Sequence, residues 1–266
     1  MPAMPGPIGQ YRLDSELGRG SAANVYRATD TAQNRVVAVK IIRDLATIQT
    51  QKRFVREGRT MASIRHPNIA AVFDMGEYMQ RTYIVMELVD GRPLDLRQPQ
   101  RDVIGRLAKI ALALDEVHRA GVIHRDIKPS NILVDARGEP KLVDFGVAHL
   151  LEPGVGEELT TTGQVIGTPA YMAPEQVFGR RHLIGPGTDV YAIGAMLYEM
   201  LAGHRPYADK SGREAMEHLK KGELAPPPGP PALVGLCMKA MHRDLSRRHP
   251  RAGALAADLR RYLDSK

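Results

Sequence analysis

His124-Arg-Asp-Ile-Lys-Pro-Ser-Asn131, followed closely by Asp144-Phe-Gly146, is the stretch on which the reading of this chain turns. It gathers Asp126, Lys128, Asn131 and Asp144 into a short span bounded by strand-like pieces, Val122-Ile123, Ile132–Val134 and Lys141–Val143. Phosphoryl transfer asks for this mix: a carboxylate to orient and accept the proton of a hydroxyl, hard oxygen ligands for Mg²⁺, and a cation to offset developing charge. Asp126, the Asn131 and Asp144 pair, and Lys128 match those roles. A chance or purely structural origin for both strings at this spacing is negligible.

The rest of the chain is consistent with a globular enzyme. Its 266 residues, 43% apolar and 25% charged, supply a core and carry no disorder signature over most of their length. The length fits one unit with two lobes. No run approaches the ~18 apolar residues of a membrane span, and the Pro- and Gly-rich start, residues 1–10, reads as a flexible segment without the features of a signal peptide. A cytoplasmic protein is expected. The single cysteine, Cys237, excludes an internal disulfide and reads as a small buried residue of a C-terminal helix. The net charge of +7 is scattered without aromatic interleaving, so no nucleic-acid partner is predicted.

Before residue 90 the pattern is of strands: Tyr11–Gly18, Asn24–Asp30, Arg35–Ile42, a stretch near Ala70–Met75, and Thr82–Leu88. One helix, about Gln49 to Arg65, interrupts them and aligns Phe54, Glu57, Met61 and Ile64 on one face. After Asp90-Gly91 the pattern is helical, with Val103, Leu107, Ile110, Leu114 and Val117 forming a stripe. Thr188–Leu201, apolar nearly all round, predicts a buried helix capped by Thr188-Asp189 and stopped at Gly203. The prolines of Pro226–Pro231 predict a loop.

Two further motifs lie in the strand-rich part. In Leu17-Gly-Arg-Gly20, Gly18 and Gly20 lie between two strands, where a hairpin could turn backbone amides toward phosphates; alone this is weak, and an ordinary glycine turn explains it as well. Lys40 sits inside an apolar strand, where a buried ammonium demands an anion, and Glu57 faces inward with the complementary problem. A Lys40–Glu57 pair resolves both and would hold the ammonium near ATP phosphates, although on these residues alone two surface ends of amphipathic side chains are a competing reading.

With these motifs in order, the chain resembles the eukaryotic-like serine/threonine protein kinases of bacteria over roughly residues 11 to 264. The resemblance implies an α+β, bilobal protein kinase fold. An N-lobe of antiparallel β-sheet plus one helix spans about 11–88, a hinge about 87–91, and a mainly α-helical C-lobe about 92–264, all within a kinase domain of 11–266. It implies that Leu17, Gly18, Gly20 and Val25 cover ATP, that Ala38 and Leu133 line the adenine pocket, and that Met86 precedes hinge residues Glu87, Leu88 and Val89, whose backbone bonds adenine. Lys40 would hold phosphates, Asp126 serve as base, Lys128 meet the γ-phosphate, and Asn131 with Asp144 ligate Mg²⁺, with Mn²⁺ as a substitute. Structural roles fall to Asp189, anchoring the catalytic loop, and to Glu175 with Arg248. Lys128 and the Gly-Thr-Pro segment holding Thr168 imply serine or threonine acceptors on protein substrates.

Between Asp144 and Glu175 a polar, glycine-containing stretch carries three adjacent threonines. Arg125 beside Asp126 can pair a phosphate, and similar kinases modify themselves at positions that fall on Thr160 and Thr162, through transient homodimers. Two other readings compete: a pseudokinase scaffold, which predicts the loss of a catalytic group when none is lost, and a small-molecule kinase of related fold, against which Gly167-Thr-Pro-Ala-Tyr-Met-Ala-Pro-Glu-Gln176 argues. Ala23 replaces the third glycine of the loop, and Gly58 in the Glu57 helix costs ~1 kcal/mol relative to Ala, easing that helix toward an inactive state.

Overall fold

A computed structural model of the chain describes residues 6–20, 23–42, 60–79, 81–144, 170–208 and 212–265. They fall into two compact units, the first running to Asp90 and the second taking up from Gly91.

The first unit is built on five antiparallel strands: β1 Tyr11–Arg19, β2 Ala23–Asp30, β3 Arg35–Ile42, β4 Val72–Tyr78 and β5 Arg81–Glu87, in the order β1-β2-β3-β5-β4. Side chains alternate across a sheet, so Tyr11, Leu13, Tyr26, Ala28, Val37, Val39, Ile41 and Val85 pack with Ile8 into one core cluster. In β3 the opposite face is buried too, at Ala38, Lys40 and Ile42. β4 lies later than the sequence suggests. It runs on through Gly76, whose bare Cα lets Tyr83 cross where a Cβ would meet the phenol oxygen at 2.6 Å. Of the expected Gln49–Arg65 helix, only residues 60–63 are described and helical; it ends before Arg65.

In the second unit a small sheet, β6 Arg92–Pro93, β7 Ile132–Val134 and β8 Pro140–Leu142, accompanies the helices. These are α1 Gln100–Arg119, α2 Pro174–Val177, α3 Pro186–Ala202, α4 Gly212–Lys221, α5 Pro231–Ala240 and α6 Ala252–Asp264. The α1 stripe Val103, Leu107, Ile110, Leu114 and Val117 is wholly buried. In α3 every residue but Pro186, Gly187, Glu199 and Ala202 is buried.

The cap of α3 is the reverse of the expected one. Gly185 takes the cap position and donates its N–H to Thr188 Oγ1 at 3.2 Å, so Thr188 reaches back from the third helical position while Asp189 is spent elsewhere. Gly203, at φ 75°, closes the helix in the left-handed conformation. Pro231 opens α5 instead of ending the loop before it. Within α5 Cys237 is fully buried, its thiol pushed up to about 12 by burial and donating to Gly194 O at 3.4 Å.

Candidate active site

In the first unit, strand register gathers the residues expected to hold a nucleotide. Directly opposed residues share a face, and Gly18 pairs with Val25, Val25 with Lys40, and Lys40 with Ile84, making one row across four strands. The next row sets Ala38 beside Met86. Lys40 is only 4% exposed, and its expected partner Glu57 lies outside the described residues.

The β1–β2 hairpin is closed by Gly20 N–H donating to Ala23 O at 2.9 Å. Among the described residues, a Cβ on Gly18 would meet nothing within 4 Å, and on Gly20 only Ala23 O at 3.4 Å. Neither glycine is required by its own fold, so the bare backbone is left for something outside the hairpin to approach. Leu17 beside them is half exposed.

At the end of β5 the Glu87 N–H donates to Ala71 O at 2.8 Å, and its carboxylate accepts the Ala71 N–H at 3.2 Å. That N–H is thereby removed from the hinge donors expected to reach adenine. Leu88 and Val89 follow without regular structure.

In the second unit, residues 122–128 form no strand, contrary to the expectation for Val122-Ile123. A carboxylate takes the place of a ladder partner. Asp189, 1% exposed in the first turn of α3, accepts the N–H groups of His124 at 2.9 Å and Arg125 at 2.8 Å, while His118 Nε2 at the end of α1 lies 2.7 Å from the same carboxylate. Burial alone would raise the Asp189 pKa. The hydrogen bond and charge of His118, with the charge and backbone N–H of His124, hold it below the usual carboxylate range instead. Two such bonds at successive residues hold Arg125 at φ 66°, a left-handed conformation unusual for arginine.

Asp126 follows immediately. Its Oδ2 accepts Lys128 Nζ at 2.8 Å and Asn131 Nδ2 at 3.0 Å, and Asn131 Nδ2 also donates to the Asp126 carbonyl at 2.8 Å. Asp126 Oδ1 accepts nothing among the described residues, and the side chain keeps 28% of its exposure. One oxygen is therefore held and the other open. The Asn131 amide donors are both committed to Asp126, which turns Oδ1 of the amide away from it. Val143 N–H donates to Asn131 O at 2.9 Å, and Asp144 comes next with φ 59°. Leu133 pairs with Pro93 and Lys141 in the small sheet.

Asn131 and Asp144 thus lie on adjoining backbone, and their side-chain oxygens are donors of the hard type that fits Mg²⁺. Among the described residues no group of three His, Cys, Asp or Glu assembles as a metal site.

A third group surrounds Arg248, which donates to Glu175 through both Nη atoms, at 2.8 and 2.9 Å, with both side chains buried. Its Nε donates to His242 O at 2.6 Å and Nη1 to Gly187 O at 2.8 Å, and Thr188 Oγ1 donates to Glu175 Oε1 at 2.9 Å. Every charge here is answered.

Sequence reasoning missed three participants: His118, Thr188 as a bond to Glu175, and Gln176, whose Nε2 donates to Arg125 O at 2.7 Å. Arg125 Nε is buried and finds no partner among the described residues. Thr160, Thr162 and Thr168 lie outside those residues, as do Gly58 and Phe145.

The family model of the protein kinase domain matches residues 11–246. A probable serine/threonine-protein kinase of Streptomyces coelicolor is 38% identical, over 97% of this chain and 40% of its own length. The DNA damage-responsive serine/threonine-protein kinase RqkA of Deinococcus radiodurans is 36% identical over the same shares. The serine/threonine-protein kinase PknA of Mycobacterium tuberculosis is 39% identical over 85% of this chain and 54% of its own length. The chain therefore spans about half or less of the length of these relatives.

Proposed function

This chain belongs to the protein kinase domain family, and on that premise we propose that it transfers the γ-phosphate of ATP to serine or threonine hydroxyls of protein substrates. The observation that carries the reading is the divided Asp126 carboxylate. Oδ2 is fixed by Lys128 and Asn131, so Oδ1 is oriented and open to accept the proton of an incoming hydroxyl. The Asp189 carboxylate fixes the backbone before it, which preorganises the base without occupying it.

Asn131 and Asp144 are the residues that would hold Mg²⁺, with Mn²⁺ as a substitute; the ion would neutralise charge on the phosphates. Lys40, in a row with Gly18 and Val25, would bind phosphate oxygens, and Ala38 with Met86 would receive the adenine. Lys128, bonded to Asp126 Oδ2 and 39% exposed, would meet a γ-phosphate from that position with its remaining donors. The buried Arg125 Nε supports a phosphate-binding role for that arginine, and with it self-modification at Thr160 and Thr162 in transient homodimers. No described helix is long and apolar enough to cross a membrane. We take the cytoplasm, where ATP is abundant, as the compartment.

Incubation with radiolabelled ATP, Mg²⁺ and a generic protein substrate tests the proposal. The parent chain should label the substrate, and mass spectrometry should find phosphate on Thr160 and Thr162. Asp126→Asn should label at least ~100-fold more slowly, the low end for losing a general base. Equal rates would overturn the assignment of the base, and no labelling by the parent would overturn the activity.

A further inference from the structure

The segment between α2 and α3 exposes positive charge without acid. From residue 170 to 190 the only acids are Glu175 and Asp189, and both are buried and fully engaged, one with Arg248 and the other with the catalytic-loop backbone. The basic residues of the same stretch, Arg180, Arg181 and His182, are all exposed. None of them has an ion-pair partner among the described residues. Other exposed arginines divide: Arg12, Arg19, Arg119 and Arg261 meet Asp14, Glu16, Glu116 and Asp258, whereas Arg92, Arg97, Arg137 and Arg247 have no ion pair among the described residues. The exposed charges of this segment, on Arg180 and Arg181, are therefore both positive.

Its position gives that charge a use. Arg180 N–H donates to Glu175 O at 2.8 Å, and Gln176, between them, bonds through its side chain to the Arg125 carbonyl beside Asp126. Four residues of chain from Gln176 to Arg180 span at most ~14 Å. The turn is fixed by Arg181 N–H to Gly179 O at 2.8 Å and Leu183 N–H to Arg180 O at 2.9 Å. The cations are thus pinned a few peptide lengths from the proposed base.

We propose that Arg180, Arg181 and His182 form a docking surface for acidic peptide segments, and that they select acceptor serines and threonines flanked by carboxylates. This rests on the kinase reading above and adds the substrate class to it. Arginine's planar fork matches a carboxylate with two parallel hydrogen bonds, and two positive charges also repel basic segments. The chain itself contains a segment of the required chemistry, Glu157-Glu158-Leu159-Thr160, so a second copy is one such substrate.

The test uses a fluorescein-labelled peptide of residues 155–165 with Thr160→Ala, Thr161→Ala and Thr162→Ala, compared with the same peptide also carrying Glu157→Gln and Glu158→Gln. By anisotropy the parent protein should bind the acidic peptide about five- to tenfold more tightly, the scale of two exposed charge pairs, and the contrast should fade as salt rises. Arg180→Ala with Arg181→Ala should abolish the contrast. Equal binding by the parent, or a contrast that survives in the double variant, would overturn the surface. So would a mixed-sequence single-stranded oligonucleotide binding as tightly as the acidic peptide. The threonine-containing peptides separate the two levels of inference. If the parent phosphorylates the Glu and Gln forms with equal kcat/KM, the docking surface fails and the kinase stands; if it phosphorylates neither while anisotropy still discriminates, the surface stands and the kinase fails.

Discussion

Asp189 places a full carboxylate where solvent does not reach, and its cost is met by three donors: the His124 and Arg125 N–H groups and His118. Because the folded protein holds this group below its ordinary 3.8, the unfolded chain takes up the proton first. Its contribution to stability is therefore fully present above about pH 4 and is lost as pH falls through the folded value. Asp189→Asn keeps the size but turns an NH₂ toward donors, so at pH 7 it should destabilise by ~3 kcal/mol or more, as expected for donors left buried and unanswered. Urea unfolding followed by circular dichroism at pH 7, 5, 4 and 3 checks this. The gap between parent and variant should hold from pH 7 to 5 and narrow below 4. A gap independent of pH would mean that the carboxylate's charge is not what anchors the loop.

At the scale of elements, two glycines in neighbouring helices should respond oppositely to one methyl group. Gly194 lies in α3 where a Cβ would meet Met241 Cγ at 2.7 Å and Ala240 Cβ at 2.8 Å, the latter fixed to backbone. The helix-propensity gain of ~1 kcal/mol for Gly→Ala is outweighed there by overpacking of ~1–3 kcal/mol or more. Gly235, inside α5, has nothing among the described residues within 4 Å of its Cβ position and is exposed. Gly194→Ala should lower Tm by several degrees and Gly235→Ala should raise it by a few, both read by calorimetry. The stripe of α1 and the all-round apolar α3 were legible from the sequence because burial imposes a period, or abolishes one, along ten or more residues. The cap of α3 was not, since Thr188 is a cap residue by type and only the backbone of Gly185 shows which end of the bond it holds. Strand-like Val122-Ile123 misled for a related reason: a short apolar run cannot say that a distant aspartate, sixty-odd residues on, will take its neighbours' hydrogen bonds.

For the whole molecule, the residues proposed to bear the chemistry stand out in the sequence by motif or by type, as Asp126 does in its catalytic-loop string and Lys40 in an apolar strand, whereas their partners are ordinary residues made important by folding. His118 and Gln176 belong to the second kind, and no local pattern marks them. The two units also differ in how firmly they hold what they contribute. In α3 nearly every residue is buried, but β1 is exposed from Ser15 to Arg19, so the strand leading to Gly18 and Gly20 has little apolar surface to hold it. Local opening follows such differences, and ligand-gripping elements come from the weakly held end of the range. Amides of Val190–Leu197 should therefore exchange hydrogen at least ~100-fold more slowly than those of Ser15–Arg19 in the free protein, by mass spectrometry of timed deuteration. Adding ATP with Mg²⁺ should slow exchange over Ser15–Arg19 and over Val25, which shares the row of Lys40, and leave Val190–Leu197 unchanged. Lys40→Met should remove that slowing without altering exchange in α3. Slowing that persists in the variant would show that the hairpin meets nucleotide without the lysine, and uniform slowing across both segments would mean that ATP stabilises the fold globally instead of engaging the row Gly18, Val25 and Lys40.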